Sequence, residues 1–192
     1  MKNFKSIKIP TLMEQLPLDK RGYPVPYVVY QENDAFYFKI NDQKKSINCI
    51  LNKKCSICGS DLNDDLWLVG GPQSAFHPYG VYIDSGVHYE CGKYALQVCP
   101  YLSYSGYNAT LDLSKLQDKV SVLLHNPTVD PNRVPCFVFI HITDYDITSS
   151  FNLKPKKPYL NIEFWNNGEL LTSEEGYKLI NDYNLKNNIK YE

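Results

Sequence analysis

Two stretches decide how this chain is read: "CSICGSDL" (Cys55–Leu62) and, downstream of it, "HYECGKYALQVC" (His88–Cys99). Each opens on a pair of soft donors at the same interval, Cys55 with Cys58 and His88 with Cys91. Structural zinc takes four tetrahedral ligands, thiolate or imidazole, and short loops deliver them in pairs because two donors a turn apart reach one ion. Gly59, directly after the first pair, suits the tight turn that lets backbone amides approach two thiolates. In the second stretch, Cys91, Ala95, Val98 and Leu102 recur at helical spacing until Pro100 threatens the last turn, which predicts a helix of about three turns. Residues three apart at a helix start are neighbours on one face, so this turn can supply both remaining ligands. The expected set is Cys55, Cys58, His88 and Cys91 around a structural Zn2+. Four protein ligands leave no open position for water, so such an ion shapes the fold and performs no chemistry.

The bland alternative is that Cys91 is a buried helical cysteine and His88 an ordinary residue of a helix N-terminus. The paired spacing favours metal over that alternative. Cys99 competes for a ligand position, but it lies eight residues beyond Cys91, roughly 12 Å along a helix axis, too far to share the ion. Cys99, Cys49 and Cys136 are therefore assigned to the core.

The chain has 192 residues, 43% hydrophobic and 14% aromatic, enough to bury a core of its own. Lys and Arg total 20 against 21 for Asp and Glu, so no excess charge points to nucleic acid or an anionic membrane as partner. No run reaches the roughly 18 apolar residues needed to span a bilayer, and the start, "MKNFKSIKIPTLMEQLPLDK", lacks the continuous apolar region of a signal peptide. A cytoplasmic protein with reduced thiols is expected, and paired disulfides are the minor alternative.

Along the chain, Pro10, Pro17, Pro24 and Pro26 rule out long regular structure before Tyr27, and an arm extended over another surface is expected. "YVVYQENDAFYFKI" (Tyr27–Ile40) reads as a hairpin turning at Glu32-Asn33-Asp34, followed by short polar sequence up to the first cysteine pair. "LWLVGGPQSAFHPYGVYID" (Leu66–Asp84) reads as a second hairpin, broken at Gly-Gly-Pro. Further strands are expected in "VSVLLHNPT", "VPCFVFIHITDY" and "PYLNIEFWNNGELL", the last turning at Asn167-Gly168. Thr172 and Glu175 form a capping-box pattern that starts a final helix through about Asn184. "NLKPKKPYL" (Asn152–Leu160) is the one linker-like stretch. The expected fold class is α+β: a treble-clef-like core of knuckle, hairpin and ligand-bearing helix, with additional antiparallel strands and a C-terminal helix. Its spans are an arm and hairpin over 1–48, the zinc-binding core over 49–105, and a C-terminal α+β unit over 106–192.

In "LPLDKRGYPVP" (Leu16–Pro26), Cys55-x-x-Cys58-Gly59, Gly71-Pro72, and His88-x-Glu90-Cys91 followed by Cys99-Pro100, the chain resembles a family of small uncharacterised zinc-finger-like proteins of bacteria, notably actinobacteria, and of their bacteriophages. The closing "IEFWNNGELLTSEEG" echoes a strand, turn and capped helix in the same family. The likeness is sharp between Leu16 and Leu102. It implies a metal site, a mobile-element origin and a structural part for Arg21-Gly22-Tyr23-Pro24, without naming a reaction.

An enzymatic alternative is a ββα-metal-like nuclease, in which a general-base histidine stands between the ligand pairs. His77 sits in that interval, but Phe76 precedes it where an acid is usual, and a turn role before Pro78 is simpler. Asp144 and Asp146 beside His141 are the other local concentration of titratable groups. No Gly-rich phosphate loop or Ser elbow appears. The expected function is a non-catalytic, zinc-stabilised binding protein of a phage or mobile element. It would act stoichiometrically on a host protein, such as a defence protein, or on a small nucleotide ligand. A treble-clef nuclease or nucleic-acid-binding protein is the alternative.

Overall fold

The computed structural model describes residues 6–33, 35–103 and 134–189. The Pro-rich start forms one 3-10 turn, Thr11–Met13, which buries Met13. The next turn is built by Asp19, whose carboxylate accepts hydrogen bonds from the Arg21 and Tyr23 amides (2.8 and 3.0 Å) and from Arg21 Nε (2.8 Å). Partial burial opposes ionisation of Asp19, but these bonds from Tyr23 and Arg21 outweigh it and hold the carboxyl below its ordinary range. The Arg21 guanidinium lies over the rings of Tyr23 and Phe38, 5.3 and 5.6 Å from their centroids, and so ties the arm to the hairpin that follows.

That hairpin forms as expected, from β1 (Val29–Glu32) and β2 (Ala35–Asn41), with Asn33 at φ 48 in its turn. The polar stretch after it is a helix, α1 (Gln43–Leu51), which the sequence reading passed over. Asp42 caps it by accepting from the Lys45 amide (3.0 Å), and Cys49 and Ile50 supply its buried side.

The expected second hairpin is not formed. Trp67–Gly70 is a strand, β3, but Gly71-Pro72 then opens the short helix α2 (Pro72–Phe76), with proline at a helix start where its missing N–H costs nothing. Tyr82 pairs instead with Leu153, and of the hairpin between the ligand pairs only the bridge Trp67↔Val87 exists. α3 (Tyr89–Val98) takes the expected place of the ligand-bearing helix, and Pro100 begins a further turn, α4 (Pro100–Ser103). "VSVLLHNPT" lies outside the described residues.

β4 (Phe137–His141) pairs antiparallel with β3 on one side and with β7 (Asn161–Asn166) on the other, and β8 (Glu169–Leu171) completes the sheet in the order β3-β4-β7-β8. Asn167 and Gly168, at φ 51 and 75, make the turn between the last two strands. The linker-like stretch is not a linker, since Leu153–Pro155 is a strand, β6, paired with β5 (Tyr145–Ile147), and Leu153 is fully buried. α5 (Ser173–Asn187) begins at the capping box, where Thr172 Oγ1 accepts from the Glu175 amide and Glu175 accepts from the Thr172 amide.

Phe139 is paired with Glu163, and Val138 with Phe164, so Phe139 and Phe164 point to opposite faces of the sheet. α3 packs on the Phe139 face, where Tyr89 stacks on that ring (centroids 5.8 Å). α2 and α5 cover the other face, through Phe76 and Tyr177 against Phe164. The result is an α+β fold with antiparallel sheets. One buried cluster draws on all three expected spans, among them Met13, then Leu62 and Leu96, then Phe139, Phe164 and Ile180. No helix among the described residues is long and apolar enough to cross a membrane.

Candidate metal centre

The first pair of donors stands on a loop that folds back on itself: the Cys55 amide donates to Ser60 O, the Gly59 amide to Cys55 O (both 2.8 Å), and the Leu62 amide to Lys53 O (2.9 Å). Gly59 sits at φ +81, and a Cβ there would come within 2.9 Å of the Tyr27 ring, so both backbone angle and space require glycine. The arm seals this knuckle through Tyr27 N to Ile57 O (2.8 Å) and Val28 N to Ser56 O (3.2 Å). The second pair arrives because the Ser56 amide donates to Gly86 O (3.0 Å) and Trp67 exchanges two backbone bonds with Val87, which leaves His88 as the N-cap residue of α3. Asp65 satisfies the Tyr89 amide (3.0 Å), a carboxylate at the positive end of the helix.

These loops bring the ligand atoms of Cys55, Cys58, His88 and Cys91 all within 4.8 Å of one another. Cys55 and Cys91 are fully buried, His88 is buried, Cys58 is partly exposed, and all the cysteines are free thiols. His88 fits a ligand role in detail. Its Nε2 faces Asp61 O (3.1 Å) and its Nδ1 faces Cys58 Sγ (3.4 Å). An Nε2–H donated to that carbonyl leaves the Nδ1 lone pair aimed into the cluster, the orienting bond that metal-bound histidines make. The Cys58 amide donates to Cys55 Sγ (3.4 Å).

Cys58, His88 and Cys91 are strongly perturbed by their neighbours in the cluster. Hydrogen bonds with Cys55 and Cys91 hold the Cys58 thiol far below its usual range, and the same kind of bonds to Cys55 and Cys58 push the Cys91 thiol well above it. His88 is raised to about 10, first by its bond with Cys55 and then by that with Cys58. Without an ion the cluster thus pairs a Cys58 thiolate with a protonated His88 while Cys91 keeps its proton, and a divalent cation would displace those protons and take their place. The cluster can hold a metal ion.

The other cysteines are not among the four donors, although Cys49 Sγ donates to the Cys55 carbonyl (3.9 Å). Burial pushes Cys136 up to about 12 and Cys49 up to about 11, as for core thiols. Cys99 is partly exposed at the end of α3, where its backbone carries the bonds: N to Ala95 O, and O to the Leu102 and Ser103 amides. Cys99→Ala is therefore expected to retain the metal and cost about 1 kcal/mol or less in chemical denaturation. Metal loss in that variant would make Cys99 a ligand.

His77 is the C-cap residue of α2, where its Nδ1 accepts from the Tyr79 amide (3.1 Å), and it is not one of the four. His141 stacks parallel on Trp67 (4.7 Å, 3°) and faces Asp64 O through Nε2 (3.2 Å). Asp144 takes Lys156 and Lys53 on its two oxygens, each at 2.8 Å, which holds its carboxyl well below the usual range and ties the knuckle to β5. Sequence reasoning did not find Asp61 or Asp65. Asp61 acts on His88 through a backbone carbonyl that any residue carries, and Asp65 reaches Tyr89 only once the chain has folded.

No protein-family profile, curated protein or solved structure matches this chain.

Proposed function

We propose that this chain is a zinc-stabilised binding protein without a reaction of its own. One observation supports it above the rest: one imidazole nitrogen and three sulfurs lie within 4.8 Å of one another in a largely buried cluster, with His88 Nδ1 facing Cys58 Sγ. Four donors fill the tetrahedral shell of zinc, and a thiolate-rich set with one imidazole suits zinc over harder ions. With the shell full, the ion joins knuckle to helix, two of the three parts of a treble clef, with the bridge Trp67↔Val87 standing where its hairpin would be, and has no place for substrate. The remaining candidates for chemistry, His141 and Asp144, are engaged in stacking and ion pairs.

The partner class follows from the near-balanced charge and the resemblance to proteins of bacteria and their phages: a host protein, such as a component of a defence system, or a small nucleotide ligand. The test is a titration of the purified, metal-bound chain against the host target, with phage or plasmid survival as readout. Saturation at equimolar dose is expected, with His77→Ala equal to wild type. Effect at a small fraction of the target concentration would reject binding in favour of turnover. A steeply salt-dependent affinity for DNA would move the reading to nucleic acid, since phosphate contacts release counterions.

A further inference from the structure

We propose that Cys58 is the oxidation-sensitive sulfur of this centre, the point at which a hydroperoxide converts Cys55 and Cys58 to a disulfide and expels the metal; this rests on the metal reading above. The four donors are not equally shielded. Cys55 and Cys91 are fully buried and His88 nearly so, whereas Cys58 is partly exposed to solvent. A thiolate that solvent reaches is the one a small oxidant reaches.

The second requirement is a resolving sulfur, and the cluster supplies it. Cys55 Sγ lies within 4.8 Å of Cys58 Sγ, so a disulfide needs the two to approach by at most roughly 3 Å. Both stand on the same small loop, closed by Gly59 N to Cys55 O, so they can approach without moving another element. Cys91 is at a comparable distance but belongs to α3, whose next residue, Gly92, is packed against Phe139. The loop pair is therefore the one that closes. Cys99, also partly exposed, belongs to no such cluster and has no resolving partner in it.

The chemistry balances as a two-electron oxidation. The Cys58 thiolate attacks one peroxide oxygen, the O–O bond breaks, hydroxide (or alkoxide from an organic hydroperoxide) leaves, and the sulfur becomes a sulfenic acid. The Cys55 thiolate then attacks that sulfur, the S–S bond forms, the S–O bond breaks, and a second hydroxide leaves and is protonated to water. The cation, stripped of two anionic ligands, departs as the divalent ion it was, neither oxidised nor reduced. A dithiol reductant reverses the sequence and restores the site when zinc is present.

The experiment treats the full, zinc-loaded chain with hydrogen peroxide in the presence of a chromophoric zinc indicator, and maps disulfides by peptide mass. Release of zinc and formation of a Cys55–Cys58 disulfide are expected in equal amounts, reversed by dithiothreitol with added zinc. Cys99→Ala is expected to release at the wild-type rate. Zinc that stays bound while Cys99 oxidises, or a disulfide that joins Cys91 or Cys49 instead, overturns this inference and leaves the metal reading standing. Reduced chain that carries no metal before peroxide is added overturns both.

Discussion

Chain purified under reducing conditions without chelator is expected to carry about one zinc per molecule, and stripping that ion is expected to unfold the middle of the chain. The magnitude decides this. A structural zinc site contributes about 10–16 kcal/mol of apparent binding free energy, as much as the whole net stability of a domain at about 5–15 kcal/mol. Within the segment between the ligand pairs β3 stays anchored on β4, but its own internal pairing is reduced to the single bridge Trp67↔Val87, so the knuckle and the second pair depend on the ion to stay together. Cys58→Ser and Cys91→Ser are expected to lose metal and solubility together. Hydrogen exchange should localise the loss. Amides that join the arm, the knuckle and the second pair, those of Tyr27, Cys55, Ser56 and Trp67, should lose protection first, with β4 and β7 following later. Acid should act like the chelator, because bound cysteine and histidine must be deprotonated and protons compete for the same lone pairs. Elemental analysis finding no zinc, or unchanged exchange at those amides after stripping, would reject the site.

The ease with which this centre was read, against the difficulty of the sheet, has a physical origin. Cys55 with Cys58 and His88 with Cys91 are local pairs, and a metal's demand for donor type and spacing is written in adjacent letters. Thr172 with Glu175, and Asn167 with Gly168, are local in the same sense, and the structure forms both. α1 was missed because its apolar residues, Ile47, Cys49, Ile50 and Leu51, crowd its second half behind a polar start of Gln, Lys and Ser, although Asp42 carried a usable cap signal. The second hairpin was misread because Gly-Gly-Pro suits a turn and a helix start equally well, and only the pairing of Tyr82 with Leu153 tells them apart. "NLKPKKPYL" looked like a linker because lysines and prolines dominate it, whereas the residues that fix it, Asn152, Leu153 and Pro155, are buried between them. The order β3-β4-β7-β8 is a matter of long-range pairing, which alternation within one strand does not encode. The role of "LPLDKRGYPVP" became clear only in three dimensions, through Asp19 and the placement of Arg21 over Phe38.

The sheet's two faces make the last prediction. Each is covered by a helix that comes close at a glycine. In α3, a Cβ on Gly92 would stand 2.5 Å from Cζ of Phe139 and 2.8 Å from Cγ2 of Val87. In α5, a Cβ on Gly176 would run into the ring of Phe164. Both phenylalanines are fully buried, so neither ring has space to withdraw. Elsewhere in a helix, replacing glycine by alanine stabilises by about 1 kcal/mol through propensity. Here the overlap reverses the sign, because overpacking a closed core costs about 1–3 kcal/mol. Gly92→Val and Gly176→Val are each expected to cost about 3 kcal/mol, a fall in melting temperature of roughly 6–12 °C for a chain of this size. The two should differ in what else they disturb. Gly92 adjoins Cys91, so displacing α3 should also weaken metal retention under a competing chelator, whereas Gly176 lies across the sheet from the metal cluster and should leave it unchanged. Pairing each with Phe139→Leu or Phe164→Leu, which shortens the opposing ring, should recover part of the loss only in the matched combination. Glycine variants as stable as the wild type, or recovery in the mismatched pair, would show that these helices are not seated on the sheet by their glycines.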